Sequence, residues 1–141
     1  MIIAIDFDGT CVAHEFPKIG KEIGAEPVLK QLVKEGHKLV LNTMRSDKKD
    51  VNSTDYNIHG ESGDYLTQAV NWFKERNIPL HGINENPTQK SWTDSPKVYA
   101  DLYIDDAALG CPLHKEESGA IYVDWVRVFK ILVDRGIIFS K

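Results

Sequence analysis

Met1-Ile2-Ile3-Ala4-Ile5-Asp6-Phe7-Asp8-Gly9-Thr10 opens the chain with an apolar run that stops on two carboxylates at i and i+2, then a glycine. A near-continuous hydrophobic run of this kind marks a strand buried on both faces, as in a parallel sheet, rather than an alternating surface strand. The glycine lets the backbone turn where the strand stops. In open α/β sheets, ligands bind beyond the carboxyl ends of the strands. The chain therefore sets paired acids where such chemistry is found.

Outward from this strand (Ile2 to Phe7), Cys11 to Gly24 carries Pro17, Gly20 and Gly24 and reads as a loop or flap. A helix follows, with Pro27 near its start, Val28, Leu29, Leu32 and Val33 on one face, and Gly36 as its left-handed cap. Lys38 to Thr43 is a second strand, and Met44 to Gly60 a long polar loop. Ser62 or Asp64 caps a second helix with Leu66, Ala69, Val70 and Phe73 inward, ending at Asn77 or Ile78. Leu80 to Ile83 is a third strand, Asn84 to Pro96 a loop, Val98 to Ile104 a fourth strand and Ile121 to Val123 a fifth. Trp125, Val128, Phe129 and Leu132 mark a last helix, closed by Gly136. Alternation of this kind predicts an α/β fold. We expect a single three-layer α/β/α, Rossmann-like domain over residues 1–141, with a mostly parallel five-stranded sheet and right-handed crossovers.

Composition narrows the class. At 141 residues one domain is expected, large enough to bury a core without staples. The net charge of −4 argues against general affinity for nucleic-acid backbones. The five apolar residues before Asp6 are too few for a signal peptide or a membrane span. Two cysteines, Cys11 and Cys111, are too few for a disulfide scaffold and read as free thiols. A reducing, cytoplasmic setting is the expectation, without membrane or nucleic-acid partners.

Four polar signals stand at strand ends: Asp6 with Asp8, then Thr43, then Lys97, then Asp105 with Asp106. A parallel sheet brings all four to one edge. Three or four carboxylates there stay ionised together only beside a cation. Oxygen donors at this density suit a hard divalent ion, Mg²⁺ foremost. The ion would draw a phosphate, with Thr43 and Lys97 sharing its remaining charge. Arg45, two residues past Thr43, could reach a substrate anion. His14 lies in the flap, and no histidine spacing suggests zinc. Trp72 and Trp125 fall on apolar helix faces and read as core, whereas Trp92 sits in a polar loop.

Asp6-Phe7-Asp8-Gly9-Thr10, the strand ending in Thr43, Lys97, and Ile104-Asp105-Asp106 resemble motifs one to four of the haloacid dehalogenase superfamily, in that family's order and across almost the whole chain. The resemblance implies a Mg²⁺-dependent phosphomonoester hydrolase. In it Asp6 would attack phosphorus and form an aspartyl-phosphate, and Asp8 would act as general acid and then base. Asp105 would bind the metal with Asp6 and the Asp8 carbonyl, and Asp106 would act through water or orient the ligands. Thr43 and Lys97 would hold phosphoryl oxygens, with Thr10, Met44 and Arg45 on the substrate side and backbone N–H groups after Asp6 forming an anion nest. Many relatives carry a large cap domain, but here only Val12 to Gly24 and Arg45 to Gly60 could cover the site. The chain looks capless, so its phosphorylated substrate would be covered by its own bulk, by these loops or by a second copy. A non-catalytic phosphate-binding module is the competing expectation.

Overall fold

The computed structural model describes residues 1–48 and 63–139. In chain order the elements are β1 (Ile2–Ile5), α1 (Ala25–Lys34), β2 (Lys38–Leu41), β3 (Asp47–Lys48), β4 (Gly63–Asp64), α2 (Tyr65–Glu75), β5 (Gly82–Ile83), β6 (Leu102–Ile104), β7 (Leu113–Lys115), β8 (Ile121–Val123) and α3 (Trp125–Asp134). Most of the expected loop over 45–60, the capping role of Ser62 and all of His59 lie outside the described residues. The start of that loop forms β3, which pairs antiparallel with β4.

Four strands make a parallel sheet in the order β5-β2-β1-β6. The crossovers through α1 and α2 step in one direction from β1, and the chain then returns to place β6 on the other side of β1. The gap between β1 and β6 is thus the topological switch point, where open α/β sheets bind their ligands. The sheet has four strands rather than five. Ile121–Val123 forms an antiparallel ribbon with β7 instead. The connection from β7 to β8 is short enough to return the chain only antiparallel, which sets how these two strands pair.

The sheet's two faces are covered differently. Ile3, Ile5, Leu39, Leu41 and Ile104 form one cluster with the buried sides of all three helices: Val28, Leu29 and Leu32 of α1, Ala69, Trp72 and Phe73 of α2, and Trp125, Val128 and Leu132 of α3. Trp72 and Trp125 are therefore core, as their helical spacing predicts. By the period of two, Ala4, Val40 and Tyr103 face the other way. There the cover is the segment 84–101, whose regular structure is one short 3₁₀ turn, Gln89–Ser91. The Tyr103 hydroxyl donates to the Val98 carbonyl at 2.6 Å. The third layer is thus an irregular strap rather than a helix, and it is the only connection that crosses from β5 to β6.

Local rules account for the helix ends. Gly36 and Gly136 follow α1 and α3 in the left-handed conformation. Asp124 caps α3 by accepting from the Arg127 N–H at 3.1 Å. Helix α1 begins two residues earlier than Pro27 suggests, which leaves the proline in the first turn, where its missing N–H costs nothing. No described helix is long and apolar enough to cross a membrane.

The indole N–H of Trp125 ties α3 to the loop after β1, donating to the buried Thr10 carbonyl at 2.7 Å. Trp125→Phe should cost about 1–3 kcal/mol in urea denaturation, since it leaves that carbonyl buried without a partner. Amide exchange should quicken in residues 9–12 before it does in β2.

Candidate active site

The register of the sheet builds the site. Ile5 lies opposite Ile104, and the Asp6 N–H donates to the Ile104 carbonyl at 3.0 Å. The first residue beyond β1 is thereby set against the first beyond β6. Among the described residues, Asp6, Asp105 and Asp106 offer carboxylate oxygens within 4.8 Å of one another. None of the three is fully exposed or fully buried.

Thr10 braces this cluster. Its hydroxyl accepts from the Asp106 N–H at 3.1 Å and donates to Asp6 Oδ2 at 2.8 Å. Thr10 is itself fully buried. Its side chain offers a substrate no free group, so the structure assigns it to the scaffold of the acids rather than to the substrate side. Gly9 turns with φ of 81°, and a Cβ there would lie 2.0 Å from His14 Nε2 and 2.5 Å from Asp106 Oδ2. Only glycine fits.

The electrostatics are those of crowded acids. Burial, the hydrogen bond shared with Asp106 and the charge of Asp105 push the Asp6 carboxyl up to about 8, against the pull of the Thr10 hydroxyl and the Phe7 N–H. Burial also works to raise Asp106, but the His14 and Asp6 hydrogen bonds outweigh it and hold the group below its ordinary value. The His14 contact is an ion-pair geometry, Nε2 to Oδ2 at 2.7 Å. A cation between these carboxylates would relieve the repulsion that burial magnifies. Three oxygen donors of this spacing, with no sulfur or nitrogen among them, suit a hard cation better than a soft one.

Asp8 lies in a different environment. Arg45 donates to both of its oxygens, Nε to Oδ2 at 2.7 Å and Nη2 to Oδ1 at 2.8 Å. The guanidinium is buried and donates also to the carbonyls of Pro17, Lys18 and Tyr65 at 3.3, 2.9 and 3.2 Å. It lies between the rings of Phe7 and Phe16, 5.1 and 5.0 Å from their centres. All five of its N–H groups are used. Arg45 is therefore not a free hand for a substrate anion. It ties Asp8 to the flap and to the first turn of α2.

Of the remaining expected residues, Thr43 and Met44 follow β2 at the same edge, whereas Lys97 is placed against Tyr103 of β6. The Thr43 hydroxyl accepts from the Arg45 N–H at 3.1 Å, and the Thr43 N–H donates to Asn84 Oδ1 at 2.8 Å. Met44 is 97% exposed. The exposed Lys97 rests its ammonium over the Tyr103 ring, 5.6 Å from its centre. That ring is two residues before Asp105 and on the same face of β6. Asn84 is the residue the structure adds, and it gives His14, already placed in the flap as a candidate substrate contact, Asp106 as its partner. A flap histidine reaches Asp106 only once the loop after β1 folds back, and no local pattern reveals that.

Two cavities flank these elements. An apolar groove of about 1130 Å³ lies between α1 and α3 and holds none of the motif residues. A smaller polar one, about 440 Å³, is walled by the segment 84–98, beginning at Asn84. Neither is lined by a motif residue, but the second includes Asn84, whose side chain accepts from the Thr43 N–H.

No family model and no curated protein matches the chain. Among solved structures, one described as that of a conserved protein coded by a locus of Bacteroides thetaiotaomicron superposes with a TM-score of 0.70 at 30% identity, covering 100% of this chain and 98% of the other. The chain belongs to that protein's family. The two align over nearly their full lengths.

Two outcomes test this electrostatic picture. The unfolded Asp6 carboxyl ionises near 3.8 and the folded one near 8, so between these values the native state holds the extra proton. Stability of the metal-free protein should fall as pH rises across that window, because unfolding releases a proton that the native state holds and rising pH favours that release. Melts of chelator-treated protein at about pH 5 and 8 should show a larger drop for wild type than for Asp6→Asn. Separately, Arg45→Met should cost about 3–5 kcal/mol by leaving Asp8 unpaired. Pairing it with Asp8→Asn should recover part of the loss in a double-mutant cycle.

Proposed function

We propose that the protein is a Mg²⁺-dependent phosphomonoester hydrolase acting through an aspartyl-phosphate on Asp6. The observation that carries this reading is the convergence of Asp6, Asp105 and Asp106 within 4.8 Å at the switch point, in a sequence whose first and last motifs resemble those of haloacid dehalogenase phosphatases. Asp6, Asp105 and Asp106 would hold the ion, with the Asp8 carbonyl as the resemblance implies. The ion would polarise a phosphoryl oxygen and offset the charge of the acids.

The chain's own groups divide the remaining work. Asp6 carries the nucleophilic oxygen, and the Thr10 hydroxyl fixes which of its two oxygens is engaged. The exposed Lys97 and the Thr43 edge hold the phosphoryl group. Asp8 gives a proton to the departing alkoxide and later takes one from water. It does so only after one oxygen leaves the Arg45 fork and takes up a proton from solvent. Because Arg45 also holds the Pro17 and Lys18 carbonyls, the motion of the acid depends on the flap. Cys11 and Cys111 are free thiols, in keeping with a reducing, cytoplasmic setting.

The same fork favours a second reading, a phosphate-binding module without turnover, in which Asp8 stays on Arg45. The two readings part in one experiment. Purified protein with Mg²⁺ and p-nitrophenyl phosphate should turn over, and Asp6→Asn should lose at least about 10³-fold, the scale of a removed nucleophile. Beryllium fluoride binding without turnover in the wild type would leave the module as the answer.

A further inference from the structure

We propose that the cavity walled by residues 84–98 is a leaving-group subsite and that it takes a polyol, the alcohol part of a sugar or sugar-alcohol monophosphate. This rests on the phosphatase reading above and narrows its substrate.

Position comes first. Asn84 is the first residue past β5, at the carboxyl edge. Its side chain accepts from Thr43 N–H at 2.8 Å, and its own N–H donates to the Leu41 carbonyl at 2.7 Å. The lining also contains Ser95, Pro96 and Val98, which bracket Lys97 in sequence. The cavity is thus bounded by the neighbours of both groups assigned to the phosphoryl oxygens. A phosphate held between Thr43 and Lys97 would present its ester oxygen beside it.

The walls are preformed. Gln89 is buried and donates to the carbonyls of Ser95 and Lys97 at 3.1 and 2.8 Å, while accepting from the Tyr99 N–H at 2.8 Å. Asn86, also buried, donates to the Tyr99 carbonyl at 3.1 Å. These two amides stitch the outgoing and returning halves of the strap together, so no ligand is needed to shape the space.

The lining sets the ligand's chemistry. The Thr93 hydroxyl accepts from the Ser95 N–H at 3.1 Å and the Ser95 hydroxyl from the Lys97 N–H at 3.2 Å. Each uses a lone pair in doing so and keeps its proton to donate. Asp94, exposed between them, offers acceptors. Donor, acceptor and donor in succession match neighbouring hydroxyls, each of which both gives and takes a hydrogen bond. Charge excludes the obvious rivals. Glu85 and Asp94 set two carboxylates against the single ammonium of Lys90, which sits 3.9 Å from Glu85. A second phosphate, as in a bisphosphate or a nucleoside diphosphate, would meet net repulsion. The volume of about 440 Å³ suits one ring rather than a polymer.

The test compares sorbitol 6-phosphate and glucose 6-phosphate with p-nitrophenyl phosphate and a nucleoside monophosphate. Wild type should favour the polyol esters. In Asp94→Ala the ratio of kcat/KM for glucose 6-phosphate to that for p-nitrophenyl phosphate should fall roughly tenfold, the size of one lost hydrogen bond. Both values come from one preparation, so a change in folded fraction cancels. Wild type that hydrolyses all four esters alike, or a ratio unmoved in Asp94→Ala, overturns the subsite and leaves the phosphatase reading standing. Should no ester be hydrolysed, the phosphatase reading fails, and free sorbitol decides the subsite. Amide shifts confined to residues 84–98 support it, and none at high sorbitol overturns it.

Discussion

Everything at the functional edge depends on β1 having parallel partners on both sides. Ile5 is in register with Leu41 on one side and with Ile104 on the other. Parallel strands share a direction, so all three end at the same edge, and residues that follow them in sequence meet in space. Were β6 antiparallel, Asp105 would lie at the opposite end from Asp6 and no cluster would form. The reversal of strand order between β1 and β6 sets the acids at the switch point of the sheet.

That convergence has an electrostatic consequence. Three carboxylates held this close, and partly out of water, oppose one another's ionisation. The rise of Asp6 is the visible result, and burial is its largest cause. The fold tolerates the crowding through fixed partners: the Thr10 hydroxyl between Asp6 and Asp106, and His14 against Asp106 from the flap. A site that is unfavourable without a cation is well suited to binding one, which is the physical basis of the reading advanced above.

Arg45 imposes a second constraint. A buried guanidinium requires partners for five N–H groups, and this one draws them from β1's loop, the flap and the first turn of α2. The ion pair with Asp8 is thus inseparable from the packing of three segments distant in sequence. Removing either charge strands the other in a space built to exclude water. The same arrangement joins the position of the flap to the freedom of Asp8, which a solvent-exposed pair would not do.

Local pattern determined much of this protein. The apolar run before Asp6 specified a buried parallel strand, the helical spacing of Val28, Leu29 and Leu32 and of Val128 and Leu132 specified helices with a core face, and the acids at strand ends specified which carboxylates would gather at one edge. These readings succeed because burial and period are properties of short segments. The tertiary structure alone decided the rest. Ile121–Val123 has the composition of a sheet strand, but partner choice depends on chain reversal, and it pairs with Leu113–Lys115. The segment 84–101 has no period to read, although it meets the sheet where the Val98 carbonyl accepts from Tyr103. Arg45 looked like a surface cation beside a substrate, and Thr10 like a substrate contact. Both are buried by elements that lie tens of residues away along the chain, and no local pattern encodes which distant carbonyls and carboxylates will come to meet a side chain.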